Sequence, residues 1–561
     1  MALDAYNIAK TVPLLNAELK NGKINKVTQP NKEEISLLTY AKGVTRKLVI
    51  SAHAKYARIA FSDVEKENPA VAPNFCMLLR KHLVGGEILE IKQLGWERII
   101  AVTVENKNEL FEKSRKVLYV EIMGKYSNIV LTENDVILGA LKNTTLEVNA
   151  LRPLFTGMTY TLPKKQDKCE PFDREKASKI IENFNGENLG EYIFKNFSGL
   201  SLITAQEIAN VLFPLLKTPD IFCEKIVEFL LKDEIKPCII SSLNFTDFSA
   251  CDLSSFSGSE KKRYDDFLIC QKDFFDQAET KKDFSLKQNS LLAKVSSHLK
   301  KLEKKRGAIF ETIQNSENFE ENRIKGELIL ANIYKIKKGE KKVVLLNYYT
   351  GEEVGITLDE KLFPQENANK YYKKYDKQKS AIKYAEKNLA ETEKEISYLN
   401  SVKSEILSCD TLSDLKFIES EMLLQGLIPS KVKSKSKTQP FRYYQFDGFL
   451  VTVGKNNVAN DTLREKSNGN DLWFHTKNYH SAFVVAKYEG KPFTDELKLF
   501  CASLCVYYSE NKAGGKTEVD YTRIKKVKKP PSSRPGTVIY SGEESIFARA
   551  NSQKEYEIFP K

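Results

Sequence analysis

The sequence predicts a multidomain α+β chain: an α+β domain at each end, a helical region after the first, and a long antiparallel arm of paired helices with a small β tip. Three observations carry this. Strand and helix signals alternate over the first 170 or so residues and again from about residue 438. Between these blocks, two segments repeat apolar residues at alternating spacings of four and three. A Lys/Ser run, Lys431-Val-Lys-Ser-Lys-Ser-Lys437, sets off the last block, because like charges repel and cannot bury a core.

Taken in order, Ala5 to Lys20 spaces its apolar residues as a helix does. Lys47–Ser51 and Ala57–Phe61 read as short strands. Phe75 to Leu83 reads as a helix that stops at Gly85-Gly86. Arg98–Val104 and Val117–Ile122, rich in β-branched and aromatic residues, read as strands, and Asn128–Thr132 continues them past a turn at Gly124. These make an α+β domain over residues 1–170. Residues 171–275 turn helical. Within them, Asn196-Phe-Ser-Gly199-Leu200 leads into a helix through Ile208 and resembles a helix-hairpin-helix element, whose turn can present backbone N–H groups to a phosphate. An ordinary helix junction fits the same residues.

Residues 276–430 hold the arm. Val295, Leu299, Leu302, Arg306, Ile309 and Ile313 form one seam, and Ile382, Ala385, Leu389, Thr392, Ile396 and Leu399 form the other. Lys342–Asn347 and Glu353–Thr357 read as a hairpin around Thr350-Gly351, in a tip module at about 333–365. Residues 438–561 read as a second α+β domain. Its strands are expected at Phe449–Val453, Phe483–Ala486 and Thr537–Tyr540, its helix at Asp495–Tyr508, and a basic turn at Lys525–Pro531.

A chain of 561 residues, 41% hydrophobic and 29% charged, has material for several cores. Its apolar runs are short and broken by charge, so no segment is expected to span a bilayer. The start, Met1-Ala-Leu-Asp-Ala5, lacks the basic-then-apolar pattern of a secretory signal. Nine scattered cysteines fit reduced thiols in a cytosolic protein. Lys and Arg number 87 against 75 Asp and Glu, a net of +12. Residues 431–561 hold 23 against 14, so nine of those twelve charges lie at the C-terminal end. That suits a polyanion such as nucleic acid or an acidic membrane, and equally a soluble basic surface.

Catalytic chemistry finds few footholds. There is no Gly-Lys-Ser/Thr phosphate loop and no Gly-x-Ser-x-Gly elbow, which argues against a nucleotide hydrolase or a serine esterase. Cys501 and Cys505 lie one helical turn apart after His475 and His480, but in an apolar helix where small buried thiols fit better than a zinc site. No metal and no cofactor is expected. Three constellations stand out instead. Gly95-Trp96-Glu97-Arg98 opens a strand. Glu121-Ile122-Met123-Gly124-Lys125, followed by Ser127-Asn128, breaks a strand at a glycine beside a lysine. Glycine admits close backbone approach, Lys and Arg can hold phosphates, and Ser and Asn can bond sugar or base edges. On residues alone, a glycine turn with exposed charges is the better fit. Asp471, Trp473 and His475, with Lys525 and Lys526 further on, suit stacking and charge contacts to RNA, or a Trp/Phe core strand.

Together these stretches resemble the NFACT family of ribosome-quality-control factors. Met1-Ala-Leu-Asp4, Leu48–Ala52, Phe75–Lys81, Glu121–Gly124 with Ser127-Asn128, and Arg152-Pro153 with Gly157 and Tyr160 are similar to its N-terminal domain. Gly448, Val453–Asn457, Asn460-Asp461, Asp471–His475, Val519–Thr522 and Pro535-Gly536 resemble its RNA-binding domain. The resemblance implies a cytoplasmic, ribosome-associated protein without enzymatic activity of its own. Its implied partners are the large ribosomal subunit, ribosomal RNA, peptidyl-tRNA, alanyl-tRNA and a stalk-base ribosomal protein touched by the arm, with no membrane. It implies template-free alanine tailing of stalled chains, with Asp4, Glu97, Arg98 and Glu121–Lys125 forming one surface that positions the recruited tRNA. Where the family has an Asp-Arg pair, this chain has Glu97-Arg98, which sets the carboxylate one methylene further out and is expected to weaken tRNA positioning. Tyr479–Phe483 departs from the family's Gly-Ser-His order. Two other classes stand beside this reading: a fibronectin-binding surface adhesin, which is awkward without a signal or anchor, and a DNA glycosylase, which would need a catalytic N-terminal amine or lysine and a zinc finger, against which Met1-Ala2 and the lack of a Cys/His finger argue.

Overall fold

A computed structural model describes residues 3–107, 112–144, 152–186, 188–242, 245–256, 258–429 and 439–558. The Lys/Ser run at 431–437 lies outside these. The chain divides into two compact units, Met1–Lys281 and Lys282–Lys561.

In the first unit, helix α1 (Ala5–Leu19) precedes four antiparallel strands: β1 (Lys23–Asn31), β2 (Glu34–Ala41), β3 (Val44–Ser51) and β4 (Arg58–Phe61). Helix α2 (Asn74–Leu83) then leads to β5 (Glu87–Gln93), β6 (Ile99–Lys107), β7 (Lys113–Glu121), β8 (Asn128–Glu133) and β9 (Val136–Ala140). The two meanders join through β1 and β5 into one nine-stranded sheet, ordered β4-β3-β2-β1-β5-β6-β7-β8-β9. Alternation along β1, with Ile24 and Val27 buried beside exposed lysines, puts one face into the core under α1 and α2. The first meander's β1 and β2 were not expected; in β1, Lys, Asn and Gln interrupt the apolar pattern.

Four helices follow: α3 (Arg174–Glu182), α4 (Leu189–Asn196), α5 (Leu202–Leu212) and α6 (Pro219–Leu231). A three-stranded sheet of β10 (Cys238–Ser241), β11 (Thr246–Ser249) and β12 (Glu260–Arg263) corrects the all-helical expectation for this region. Its strands have four residues each, and β12 is Glu-Lys-Lys-Arg, too short and too polar to announce a strand.

Helix α7 (Phe267–Gln314) runs 48 residues, and α8 (Phe319–Ala331) follows. Strands β13 (Lys342–Leu346) and β14 (Glu353–Thr357) pair as the expected hairpin. Helices α9 (Pro364–Ser408) and α10 (Leu412–Leu424) complete this part. In α7, Leu302, Arg306, Ile309 and Ile313 are withdrawn from solvent among exposed neighbours, and in α9 all six expected seam positions are. Val295 and Leu399 share one apolar cluster with α10.

The C-terminal elements are β15 (Phe441–Phe446), β16 (Phe449–Gly454), α11 (Asn457–Lys466), β17 (Leu472–Thr476), β18 (Val484–Ala486), α12 (Asp495–Tyr507), β19 (Thr517–Arg523), β20 (Val527–Lys528), β21 (Ile539–Tyr540), β22 (Glu544–Ala548) and β23 (Glu557–Ile558). Seven strands form one sheet, β22-β19-β17-β18-β16-β15-β23. Both faces are covered. Phe474 and Val484 pack towards α12, whereas Trp473 and Val485 pack with Leu463 of α11, Ile524 and Val527.

Candidate nucleic-acid interface

The N-terminal constellations meet where β6 and β7 end. The last pair of that ladder is Ile99 with Glu121, and one step further the Ile122 N–H donates to the Arg98 carbonyl at 2.8 Å. Arg98 therefore stands opposite the point where β7 breaks into the 3₁₀ turn Gly124–Tyr126. Gly124 has φ +59, a conformation that side chains rarely adopt, and this lets the chain turn within two residues of the strand.

The Gly95–Arg98 turn is held from below. The Gln93 amide donates to the carbonyls of Ala5 (3.1 Å) and Glu97 (2.9 Å). The Trp96 indole donates to Ser198 at 3.2 Å and lies over Gly199, where any Cβ would stand 2.4 Å from the indole nitrogen. Ala5 N–H in turn donates to Gly199 at 2.8 Å. The start of α1, the Trp96 turn and the α4–α5 junction are thus one assembly.

Asp4 lies inside it, only 3% exposed. It caps α1: Oδ1 accepts from the Asn7 backbone (2.8 Å) and side chain (2.9 Å). Oδ2 accepts from the Ser201 N–H (2.8 Å) and the Thr204 hydroxyl (2.7 Å) at the start of α5. Two expectations are corrected together. Asp4 is not part of an RNA-facing surface, and the α5 N-terminus spends its donors on Asp4 and on Ser201 rather than holding them out for a phosphate.

Glu121 and Ile122 are corrected likewise, since both are buried. The Arg152 guanidinium grips the Glu121 carboxylate with two hydrogen bonds, and the Tyr160 hydroxyl donates to it at 2.8 Å. Met123 is half-buried, its N–H bonded to Ser127 Oγ at 2.8 Å, and Lys125 is exposed. Glu97 and Arg98 are half-buried and share no hydrogen bond, so Glu97 does not orient Arg98 as a bonded partner here. Burial pushes the Glu97 carboxyl above its usual range, while Lys165 and Arg98 pull it back. The Arg98 and Lys125 side chains make no ion pair among the described residues.

Sequence reasoning missed three contributors. Lys165 faces Glu97 and pairs with Glu170 at 2.6 Å. Lys168 donates to the Phe194 carbonyl at the end of α4 (2.6 Å), and its ammonium is held below its usual range by burial and by Arg98. Arg152 was noted only as part of a motif. Nothing local marks Lys168 and Arg152, whose partners Phe194 and Glu121 are distant in sequence, or sets Lys165 opposite Glu97.

In the C-terminal domain the residues sort differently. Trp473 is 0% exposed, stacked 5.7 Å from His475 and edge-on to Phe483, so it cannot stack on an RNA base. The covered second face of the sheet is the reason. Asp471 is buried and caps a loop, accepting from the N–H groups of Asn468 (2.7 Å) and Tyr488 (2.9 Å). His475 is half-buried at the rim of a cleft of about 700 Å³ that His480, Tyr398 and Arg534 also line. Burial, then His480, pushes its imidazole down to about 4, which leaves it neutral at pH 7. Lys525 and Lys526 stand exposed on a 3₁₀ turn after β19, without an ion pair among the described residues.

Residues 4–440 match the family described as NFACT N-terminal and middle domains, and residues 439–546 match the NFACT protein RNA binding domain. The chain belongs to the NFACT family. This NFACT chain is 32% identical over 555 residues to the Rqc2 homolog RqcH of Bacillus subtilis, covering 95% of each chain. It is 31% identical to the Rqc2 homolog RqcH of Streptococcus pneumoniae, covering 99% of each. A solved N-terminal piece of the fibronectin/fibrinogen-binding protein from Streptococcus suis is 29% identical over 49% of the NFACT chain and all of that piece, with a TM-score of 0.43. Among the described residues of the NFACT chain, no group of three or more His, Cys, Asp or Glu is placed to hold a metal. Cys501 and Cys505 are buried in α12, their thiols pushed up by burial. No helix among those residues is long and apolar enough to cross a membrane.

Proposed function

We propose that this chain is a ribosome-quality-control factor. It binds a large ribosomal subunit that still carries peptidyl-tRNA and recruits alanyl-tRNA, so that alanines are added to the stalled chain without a template. One observation carries the reading: Arg98 and Lys125, neither in an ion pair among the described residues, flank one strand break whose neighbouring acids, Asp4 and Glu121, are buried and fully engaged. Two cations so placed can hold successive phosphates of an RNA backbone, with the half-buried Glu97 carboxylate beside Arg98. The near-full-length identity to proteins named Rqc2 homolog RqcH supports this partner.

The chain acts by positioning, and peptide-bond chemistry belongs to the ribosome. Glu97, whose carboxyl burial raises, accepts from a base amine or sugar hydroxyl of the tRNA. The exposed Lys525 and Lys526 add a phosphate contact to ribosomal RNA from the RNA-binding domain. Helices α7 and α9 pair as a coiled-coil arm that reaches a stalk-base ribosomal protein. The protein works in the cytoplasm, on ribosomes, with no cofactor. In a sucrose gradient of stalled lysate the chain should travel with large subunits and leave them as salt rises, since phosphate contacts release counterions. Migration in the light fractions alone, at low salt, contradicts the proposal.

A further inference from the structure

Two buried carboxyl groups lie where α9 and α10 meet the RNA-binding domain, and the proposed function uses neither. Glu405 stands in the last turn of α9, and Glu421 stands in α10, only 1% exposed. The Tyr398 hydroxyl donates to Glu421 Oε1 at 2.7 Å. Glu421 Oε2 and Glu405 Oε2 are both shut away from solvent, and neither has a hydrogen-bond partner among the described residues. No cation pairs with either acid among those residues. Arg442 and Lys455 are held by Asp414, at 2.7 and 3.2 Å. Arg534, over the Tyr398 ring, donates to Gln425 and reaches Glu395 at 3.6 Å. Cys409 faces Glu405 as a thiol raised by burial. His475 and His480 line the same cleft as Glu405, and burial pushes both towards their neutral forms.

Two neighbouring buried acids without a cation cannot both ionise, because each charge opposes the other in a place water does not reach. A carboxylate only accepts hydrogen bonds, so two ionised acids leave both Oε2 atoms bare. One proton between them makes one oxygen a donor and the other its acceptor. The shifts agree with this: burial, then Glu421, pushes the Glu405 carboxyl well above its usual range, and burial raises Glu421. The single charge that remains has a counterpart. Asn456 caps α11, and the backbone amides of Asn457 and Val458, in the first turn of that helix, face the acids. A helix start favours one negative charge. The Asn457 side chain adds a bond to α9, donating to Ser401 Oγ at 3.0 Å.

We infer that Glu405 and Glu421 share one proton, and that this acid pair seats the first turn of α11 on the α9–α10 corner as a proton-dependent clasp between these helices and the RNA-binding domain. Forming the clasp takes up a proton. Its contribution is complete below the usual carboxyl value and is lost as pH rises through the raised value of the pair. Between those two values, local opening of α11 should gain about tenfold per pH unit from this pair. The test uses the full chain. Infrared spectra at neutral pH should show a protonated-carboxyl band, and both Glu405→Gln and Glu421→Gln should lose the same part of it, since the proton belongs to the pair. In Glu405→Gln the amide permanently supplies the hydrogen that the proton supplies in the unaltered chain. Hydrogen exchange of α11 from about pH 5 to about pH 8, corrected for the intrinsic rate, should therefore rise less steeply in Glu405→Gln, by about one proton. The variant should also protect α11 better at the upper end of that range. A carboxyl band of full intensity in both variants, or an α11 exchange slope that is the same in Glu405→Gln as in the unaltered chain, overturns the clasp.

Discussion

Asp4 and Arg98 lie in the same assembly and should respond to substitution in opposite ways. Each Asp4 oxygen accepts two hydrogen bonds in a buried place. Asp4→Ala leaves the Ser201 N–H, the Thr204 hydroxyl and the Asn7 amide without that acceptor, at a cost of about 2–4 kcal/mol, read as a lower urea midpoint. Arg98→Ala, at a half-buried side chain with no bonded partner among the described residues, should leave the midpoint unchanged and lose RNA affinity. His475 gives a pH signature. Its folded value of about 4 lies below the usual 6.5, so the fold favours the neutral ring. That contribution is complete above about pH 6.5 and is lost as pH falls towards 4. His480 and Asp520 face the same ring. A urea midpoint followed across this range should fall less steeply in His475→Gln than in the unaltered chain. The sequence marked Asp4 and Glu121 as notable residues but misjudged their depth, and it left Trp473 open between RNA stacking and a core strand, which is where it lies. Glu121 is held by a residue 31 positions away and Asp4 by residues about 200 away, which no local pattern reveals.

Helices whose apolar residues recur every three and four positions were legible because one stripe per helix is withdrawn along its whole length. Leu299→Lys with Leu302→Lys puts two charges into the cluster that holds Tyr398, Leu399 and Val402. Far-UV circular dichroism should show partial helix loss while the β-sheet domains keep their cooperative melting. A collapse of the entire chain would contradict an arm with its own core. The α4–α5 junction was legible as a glycine turn but not as a partner of Trp96. Gly199 has φ +76, and an added Cβ would meet Trp96 and the Ala5 side chain below 3 Å. Gly199→Ala should therefore lower the melting temperature of the first unit, and a Gly199→Ala chain that melts like the unaltered one would contradict that junction. The small sheet β10–β12 escaped notice, and so did the cover on both faces of the C-terminal sheet, although its strands β16 and β18 were expected. Four-residue strands carry too little periodicity, and burial on both faces erases the alternation that marks a strand.

For the whole molecule, charge and family membership point the same way: a basic C-terminal end, an NFACT match from residue 4 to 546, and cations without an ion pair among the described residues at both candidate RNA contacts. The basic C-terminal end was legible from the composition, because a Lys and Arg surplus survives any folding detail, but the charge alone suited a soluble basic surface equally. Which cations remain available was not legible, since Lys165, Lys168 and Lys529 look like Arg98, Lys125 and Lys525 until their partners are known. The central claim is that Arg98 positions a recruited tRNA without being needed for subunit binding. The measurement is alanine-tail length on a stalled reporter, with large-subunit association followed in the same cells. Arg98→Ala should stay with the subunit and lose tailing, and Glu97→Asp should preserve or lengthen the tails. An Arg98→Ala chain that remains bound and tails normally would contradict the account.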